Sequence, residues 1–490
     1  MQATPQNLQH PANGDEELYP NKIASYSKGL PHNNDGTVVL SAFNALVNAV
    51  NNGTPADFDA IPLGGDRKLT NPQAGLAFDM EGPDGHALVQ PPAPAFASRE
   101  QAAEISENYW MALLRDVPFA QYSVDPVGNA AAADLTLYGA DFKGPKSGGA
   151  VTTGTLFRGL TPGDRLGPQL SQFFYQPCNF GANKVEQKIT TALAGLNYIT
   201  DFSSWLAVQR GLSPAAESLD PLPRYMRNGR DIGQWVHIDV LFQAYFQAFL
   251  VLAGAGAPFD DGNPYTNNPT QMGFGTFGGP HIATVLCEVA TRGLKAVWFQ
   301  KWFVHRRLRP EVHAERVDRT LYHNAAYPVH SEILNSLQTG SRLGGYMPSG
   351  NALLPMAFPE GSPTHPAYGA GHATVAGACV TILKSWFKES TRLVDIGVTP
   401  VQPTDDGLSL VPYAGSDAGD LTVGGELNKI ASNVATGRNI AGVHWRSDAT
   451  ESLKLGEQLA IGVLREHRAC YNEVFNGFSL TKFDGTIVTV

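Results

Sequence analysis

The chain has 490 residues, of which 43% are hydrophobic and 16% charged, with a formal net charge of −10. That length can bury a large core and allows two or three domains, and the balance is that of a globular rather than a disordered chain. With an acidic balance and no long basic block, nucleic acid is excluded as the main partner.

Residues 1–29 are polar and lack a basic segment followed by an apolar one. No ordinary secretion signal is visible, a soluble protein is expected, and the compartment stays unassigned. Residues 1–95 are rich in Gly, Pro, Asn and Asp. They predict irregular chain lying over a core, with one short helix over 41–50. Ser98 is placed to cap a helix running to Arg115, with Gln101 as its capping-box partner. Ile189, Leu193, Leu196, Ile199 and Leu206 predict a helix over 183–209. The longest apolar stretch, 232–257, carries Asp239, Gln243 and Gln247 at a four-residue spacing. One polar stripe makes it a core helix over 232–254 rather than a membrane span.

Residues 258–280 form a long Gly/Pro/Asn loop, of a length that is usually functional or interface-forming. Asp260, Asp261 and Asn263 within it have a spacing that admits a structural divalent cation, although plain turns share it. A helix over 281–308 is stopped by Pro310, and 310–370 reads mostly as loop. A helix over 372–388 follows, then a loop over 400–424 with an Asp405-Asp-Gly407 turn, then helices over 426–441 and 447–475. The tail alternates around Asp484-Gly485, a hairpin signal. The fold class is therefore mainly α: a bundle of long buried helices over 96–477, with a loop-rich region over 1–95 and a small β-hairpin over 478–490. The cysteines, Cys178, Cys287, Cys379 and Cys470, are widely spread without a CxxC pair. Neither a zinc knuckle nor a disulfide scaffold is expected, and buried free thiols are.

Three stretches carry chemistry. The first is Trp298-Phe-Gln-Lys-Trp-Phe-Val-His-Arg-Arg-Leu-Arg-Pro310. A lysine among aromatic residues is costly to bury without an anion. On one continuous helix Arg309 would lie about 80° round from Lys301, on the same side. The bland alternative is a snorkelling lysine, with the arginine paired to Glu311 or Glu315. The second stretch is Pro363-Thr-His-Pro-Ala-Tyr-Gly-Ala-Gly-His-Ala-Thr374. It delivers His365 and His372 to the start of a buried helix, where free N–H groups and the helix dipole make an anion seat. The third is Ala435-Thr-Gly-Arg-Asn-Ile-Ala-Gly-Val-His-Trp-Arg-Ser-Asp448. Asp448 is placed either to orient His444 or to act as a first-turn acid of the next helix. Jointly, Lys301, Arg309, Arg438, His372 and His444 predict a cage for a small, highly charged oxyanion such as phosphate or vanadate.

These stretches resemble the three motifs of the vanadium-dependent haloperoxidases, whose site is shared with an acid phosphatase superfamily. Lys301, Arg309 and Pro310 match the Lys, spacer, Arg-Pro motif. Gly369-Ala-Gly-His372 matches Pro-Ser-Gly-His. Arg438, His444 and Asp448 match Arg, five residues, His, three residues, Asp. Thr276–Ile282, Arg309–Glu311, Glu360–Pro366, Asp405–Leu408 and Lys28–His32 look like the bromoperoxidases of red algae and their cyanobacterial relatives, so the likeness covers nearly the whole chain.

The resemblance implies His444 as the protein ligand of vanadium. It implies Lys301, Arg309, Arg438 and the Gly371 N–H as donors to vanadate, and His372 as the acid–base residue for hydrogen peroxide. Asp239 is the candidate acidic partner of His372. His365 stands where bromoperoxidases carry His, which favours bromide and iodide over chloride. Ala370 replaces the usual Ser, removing a hydroxyl donor, and Gly369 replaces the usual Pro. The implied activity is oxidation of bromide or iodide by hydrogen peroxide, giving a hypohalous-acid equivalent that halogenates an organic acceptor. A homo-oligomer, from dimer to dodecamer, is implied with it. The alternatives are a phosphatase with His444 as nucleophile and a non-catalytic oxyanion-binding protein.

Overall fold

The computed structural model describes residues 10–338, 340 and 342–490. Its helices of eight residues or more are α1 (Leu40–Asn52), α2 (Arg99–Leu113), α3 (Pro126–Thr136), α4 (Phe202–Gln209), α5 (Gly229–Ile238), α6 (Gln243–Gly254), α7 (Gly279–Phe299), α8 (Pro310–Tyr322), α9 (Ser331–Gln338), α10 (Gly371–Trp386), α11 (Val423–Ile440) and α12 (Arg446–Cys470). Three antiparallel two-stranded ribbons ornament them: β1–β2 (Cys178–Phe180, Asn183–Val185), β3–β4 (Val401–Pro403, Leu410–Pro412) and β5–β6 (Ser479–Thr481, Ile487–Thr489).

Helix α10 is the axis of the bundle. Its small and apolar residues let α12, α7 and α11 pack round it, and every residue but His372 is buried. Fully burying a side chain such as Val375, Ile382 or Leu383 contributes roughly 1.5–3 kcal/mol each. The α10–α12 crossing is closest at two glycines. A Cβ at Gly377 would run into the carbonyl oxygen of Leu453, and one at Gly456 into that of Thr374. The N-terminal chain forms its own apolar cluster, in which Tyr26, Leu30, Phe43 and Leu46 pack on Val297 and Trp298 at the end of α7 and on Trp302 just beyond it.

Capping explains several boundaries. Ser98 accepts a bond from Gln101 N and starts α2. The Gln101 side chain does not complete the expected capping box, because it accepts from Arg307 instead, at 2.6 Å. The tail hairpin forms around Asp484-Gly485 as its sequence predicts. All four cysteines are free thiols; Cys178 and Cys379 are buried, Cys287 is half-buried, and Cys470 is exposed.

Three expectations fail for definable reasons. The helix over 183–209 shrinks to α4. Upstream, Gly181, Gly195 and Ile199 hold left-handed backbone, and Ile189 and Leu193 bond extended neighbours at Arg224 and Ser218. The core helix over 232–254 is two helices bent by 102° around residues 239–242, so Asp239 ends α5 and shares no stripe with Gln243 and Gln247. Among the described residues no single helix is long and apolar enough to cross a membrane, although this bent pair passes by length and composition. The helix over 281–308 ends as α7 at Phe299, continues as a π-helical turn over Gln300–His305, and reverses at Arg306 with φ 37°. Residues 310–370 are mostly loop as expected, but they also hold α8 and α9: Pro310 opens α8 from its first turn, where a missing N–H costs nothing.

In the loop over 258–280, Asp260 accepts from Gly262 N, Asn263 from Tyr265 N, and Asp261 pairs with Lys388. The candidate cation ligands thus serve the turn. No group of three or more His, Cys, Asp or Glu is gathered for a metal among the described residues.

Candidate active site

A cavity of about 350 Å³ opens where α5, α7, α10 and α11 converge, lined by His237, Trp298, His365, Gly371, His372, Arg438 and His444. A larger one, about 760 Å³, lies between residues 147–166 and α11–α12 and contains none of the predicted site residues. Chemistry rather than size selects the first.

Lys301 sits on the π-helical turn and Arg309 caps α8, so the two do not share a helix as expected. They converge because both grip the second stretch. Lys301 Nζ donates to the carbonyls of Pro366 and Ala367 at 2.9 and 3.2 Å. Arg309 Nε and Nη2 donate to the His365 carbonyl at 3.0 and 2.8 Å. Arg309 does not pair with Glu311 or Glu315, because Glu311 holds Lys28 and Glu315 holds Arg316. Its Nη1 instead reaches the Val443 carbonyl at 2.6 Å and His444 Nε2 at 2.9 Å.

That last contact assigns a tautomer. A guanidinium only donates, so His444 Nε2 must accept, and its Nδ1–H donates to Asp448 Oδ2 at 2.9 Å. Asp448 fills both roles open to it: the same oxygen accepts from Trp445 N at the start of α12. Its other oxygen accepts from Arg307 at 2.8 Å. The same logic makes His365 Nδ1 the acceptor of Arg309 Nη2 at 2.9 Å, so its 3.2 Å approach to the Pro366 carbonyl is a contact and not a second bond. On α10, His372 Nε2 donates to Asp239 Oδ1 at 3.0 Å. The bend that separates α5 from α6 is what brings Asp239 there.

Arg438, in the last turn of α11, donates to the Val236 carbonyl at 2.7 Å, while its Nε is buried without a hydrogen-bond partner. Gly442, at φ 86°, turns the chain on towards His444. Ala370 stands at the N-cap of α10 with no side chain to accept, and its own N–H donates to Ser452 Oγ at 2.7 Å. Ser452 and Gln90 also fill the space a Cβ at Gly369 would need. Gly369 is therefore a close-packed position.

The electrostatics follow from burial. It pulls the pKa of Lys301 well below its usual 10.5, with Arg309 adding to the fall and Asp448 opposing it. Burial brings Arg309 and Arg438 down to about 10 each. It also holds His444 and His365 well below the usual imidazole value, with the neighbouring cations acting in the same direction, so both rings are neutral. Three cations thus share one buried region. The nearby carboxylates are already engaged, Asp448 with Arg307 and His444, and Asp239 with His372.

An oxyanion suits this arrangement. It would give the Arg438 Nε its missing acceptor, offset the cations' mutual repulsion, and meet the first-turn N–H groups of α10 at Gly371. The neutral His444 Nε2 carries a lone pair that accepts from Arg309 here and would pass to a metal centre once Arg309 turned to the oxyanion, with Asp448 fixing the ring from behind. The donor set fits vanadate.

Sequence reasoning did not assign Arg307, which ties Asp448 to Glu104 and Gln101. The signal was its place in the same arginine run as Arg309. It also left His237 unassigned, two residues before Asp239 on the same helix end.

A helical bundle that closes on buried cations and neutral imidazoles defines an oxyanion-holding protein of the haloperoxidase and phosphatase type. The model of the VCPO second helical-bundle domain matches residues 335–473. The vanadium-dependent bromoperoxidase of Corallina pilulifera is 37% identical, over 98% of this chain and 94% of its own length. That of Ascophyllum nodosum is 35% identical, over 97% and 87%. The homohexameric structure of the second vanadate-dependent bromoperoxidase of Ascophyllum nodosum superposes with a TM-score of 0.89 at 30% identity, covering 98% of this chain and 86% of that one. The chain belongs to the vanadium-dependent bromoperoxidases.

Proposed function

We propose that the cavity seats vanadate and that the protein oxidises bromide, and iodide with it, using hydrogen peroxide, to a hypohalous-acid equivalent that halogenates organic acceptors. The observation that carries this is the neutral His444 Nε2 beside three buried cations, one with an unpartnered Nε. When bound, vanadate supplies a Lewis-acid centre that activates peroxide oxygen without a change in oxidation state. His444 is the residue to ligate it through Nε2, and Asp448 keeps the ring in the right tautomer.

Lys301, Arg309, Arg438 and the Gly371 N–H hold negative charge on the oxygens. Being fixed by the fold, they need no reorganisation as charge shifts during reaction. His372 would accept the proton of an arriving peroxide, and Asp239, 3.0 Å from its Nε2, would stabilise the imidazolium so formed. His365 lies beside Trp298, with ring centroids 4.8 Å apart, on the cavity wall where it tunes halide preference. We also propose that the chain assembles as a homo-oligomer, as its hexameric relative does.

The test is bromination of an activated diketone by vanadate-free protein, with and without added vanadate, beside phosphate-ester hydrolysis without it. Vanadate-dependent bromination is expected. Its absence after full vanadate loading would refute the proposal.

A further inference from the structure

The cavity wall holds a further histidine, His237, with no part in the chemistry above. His237, at the end of α5, stacks flat on Phe358, with centroids 3.7 Å apart and planes 9° apart. Its Nε2 lies 2.7 Å from Glu360 Oε1, and its Nδ1 lies 3.6 Å from Glu217 Oε2. The Arg438 guanidinium sits 5.6 Å from the centroid of the same Phe358 ring. His237, Glu360 and Arg438 all line the one cavity.

Resting on the reading of Arg438 as an oxyanion holder, we infer that His237 is a positioning residue: by engaging Glu360 it stops that carboxylate from closing an ion pair with Arg438. A buried guanidinium that keeps an unpartnered Nε beside carboxylates needs something to hold them off. Two carboxylates act on Arg438 through their charge, Asp239 and Glu360. Each is engaged by a histidine, Asp239 by His372 and Glu360 by His237. The backbone carbonyl of Glu360 is fixed as well, accepting from Lys28 at 2.7 Å. Only its side chain is free to choose a partner.

His237 competes for Glu360 as a cation. Burial pulls its pKa down, but the neighbouring Glu217 and Glu360 carboxylates outweigh this and raise it to about 9. Without that cation, Glu360 would be left to Arg67 and Arg438, whose charges it feels or acts on, and a pair with Arg438 would contest the site with any oxyanion.

The test is calorimetric titration of the vanadate-free protein with orthovanadate, which reads affinity without turnover. His237→Gln should weaken binding at least tenfold. Glu360→Gln alone should bind as tightly as the unaltered protein or more tightly. The double variant H237Q/E360Q should recover to within threefold of the unaltered protein. A structural role for His237 would give the loss without the rescue, so an unrescued H237Q overturns the inference, as does unchanged affinity in H237Q. If H237Q cannot be obtained folded, E360Q decides alone: a tenfold weakening there also overturns it. Arg438→Gln separates the two readings. No loss in R438Q would refute the oxyanion role and this inference together, whereas loss in R438Q with none in H237Q would refute the inference alone.

Discussion

At the scale of single residues, the site depends on where buried charge has partners and where it lacks them. Ala370 shows this from the deficient side. It occupies an N-cap without an oxygen, next to a region already crowded with donors. Ala370→Ser would restore a hydroxyl at the helix start and beside the oxyanion. A bond to a charged group is worth about 1.5–3 kcal/mol, so vanadate affinity should rise roughly ten- to a hundredfold. Equilibrium dialysis against vanadate checks this, and equal affinities would refute it. His313 shows the same physics in the core, where both ring nitrogens are buried without partners against Phe96 and Trp445. Burial lowers its pKa from 6.5 to about 3. The folded state therefore binds fewer protons than the unfolded one between those values, and stability falls as pH drops below 6.5. Between pH 7.5 and 5 this residue alone should account for about 2 kcal/mol of lost stability. Denaturant unfolding of His313→Leu should show a pH dependence smaller by that amount, and an identical acid loss would contradict it. Lys301, Arg309, Arg438, His372 and His444 were legible in the sequence because reactive residue types recur there at telling spacings. His237 and Arg307 were not, because the Glu360, Asp448 and Glu104 carboxylates that define their roles lie more than a hundred residues away.

At the scale of elements, the helices that build the site were legible where apolar periodicity and small residues agreed, as in α10, α11 and α12. Periodicity misled where backbone hydrogen bonding favoured extended chain, as over 183–201, where Gly195 and Ile199 hold positive φ. The break between α5 and α6 was hidden for a different reason. Apolar residues run straight through it, yet the polar Asp239 marks the point where the chain turns. The glycines at the α10–α12 crossing are the element-scale feature most exposed to test. Gly456→Ala places a methyl against the Thr374 carbonyl and the Ala378 N–H, within two turns of His372 on α10. Overpacking of this kind costs about 1–3 kcal/mol. Because helix propensity alone would favour Ala by roughly 1 kcal/mol, a lower thermal midpoint in G456A would isolate the steric cost. A midpoint equal to or above that of the unaltered protein would show that the helices separate freely.

At the scale of the whole molecule, the N-terminal chain is a structural member of the site. Lys28 donates to Glu311 Oε1 and to the Glu360 carbonyl, both at 2.7 Å, and it is fully buried. Glu311 in turn accepts from Gln209 and from Ser362 N. One ion pair thus joins the first fold segment, α4, the start of α8 just after Arg309, and the loop leading to His365. Composition read residues 1–95 as irregular chain over a core, and nothing local in that sequence could reveal which buried carboxylate Lys28 would meet. Lys28→Met keeps most of the side-chain volume but leaves Glu311 buried with only neutral partners. Breaking a buried pair on one side typically costs 3–5 kcal/mol, more than a surface pair could ever show. Denaturant unfolding should register that loss. Lys28→Met combined with Glu311→Gln should recover a large part of it, because the uncompensated charge is then gone. A small loss in K28M, or a double variant no better than the single one, would mean that the N-terminal chain covers the site without anchoring it.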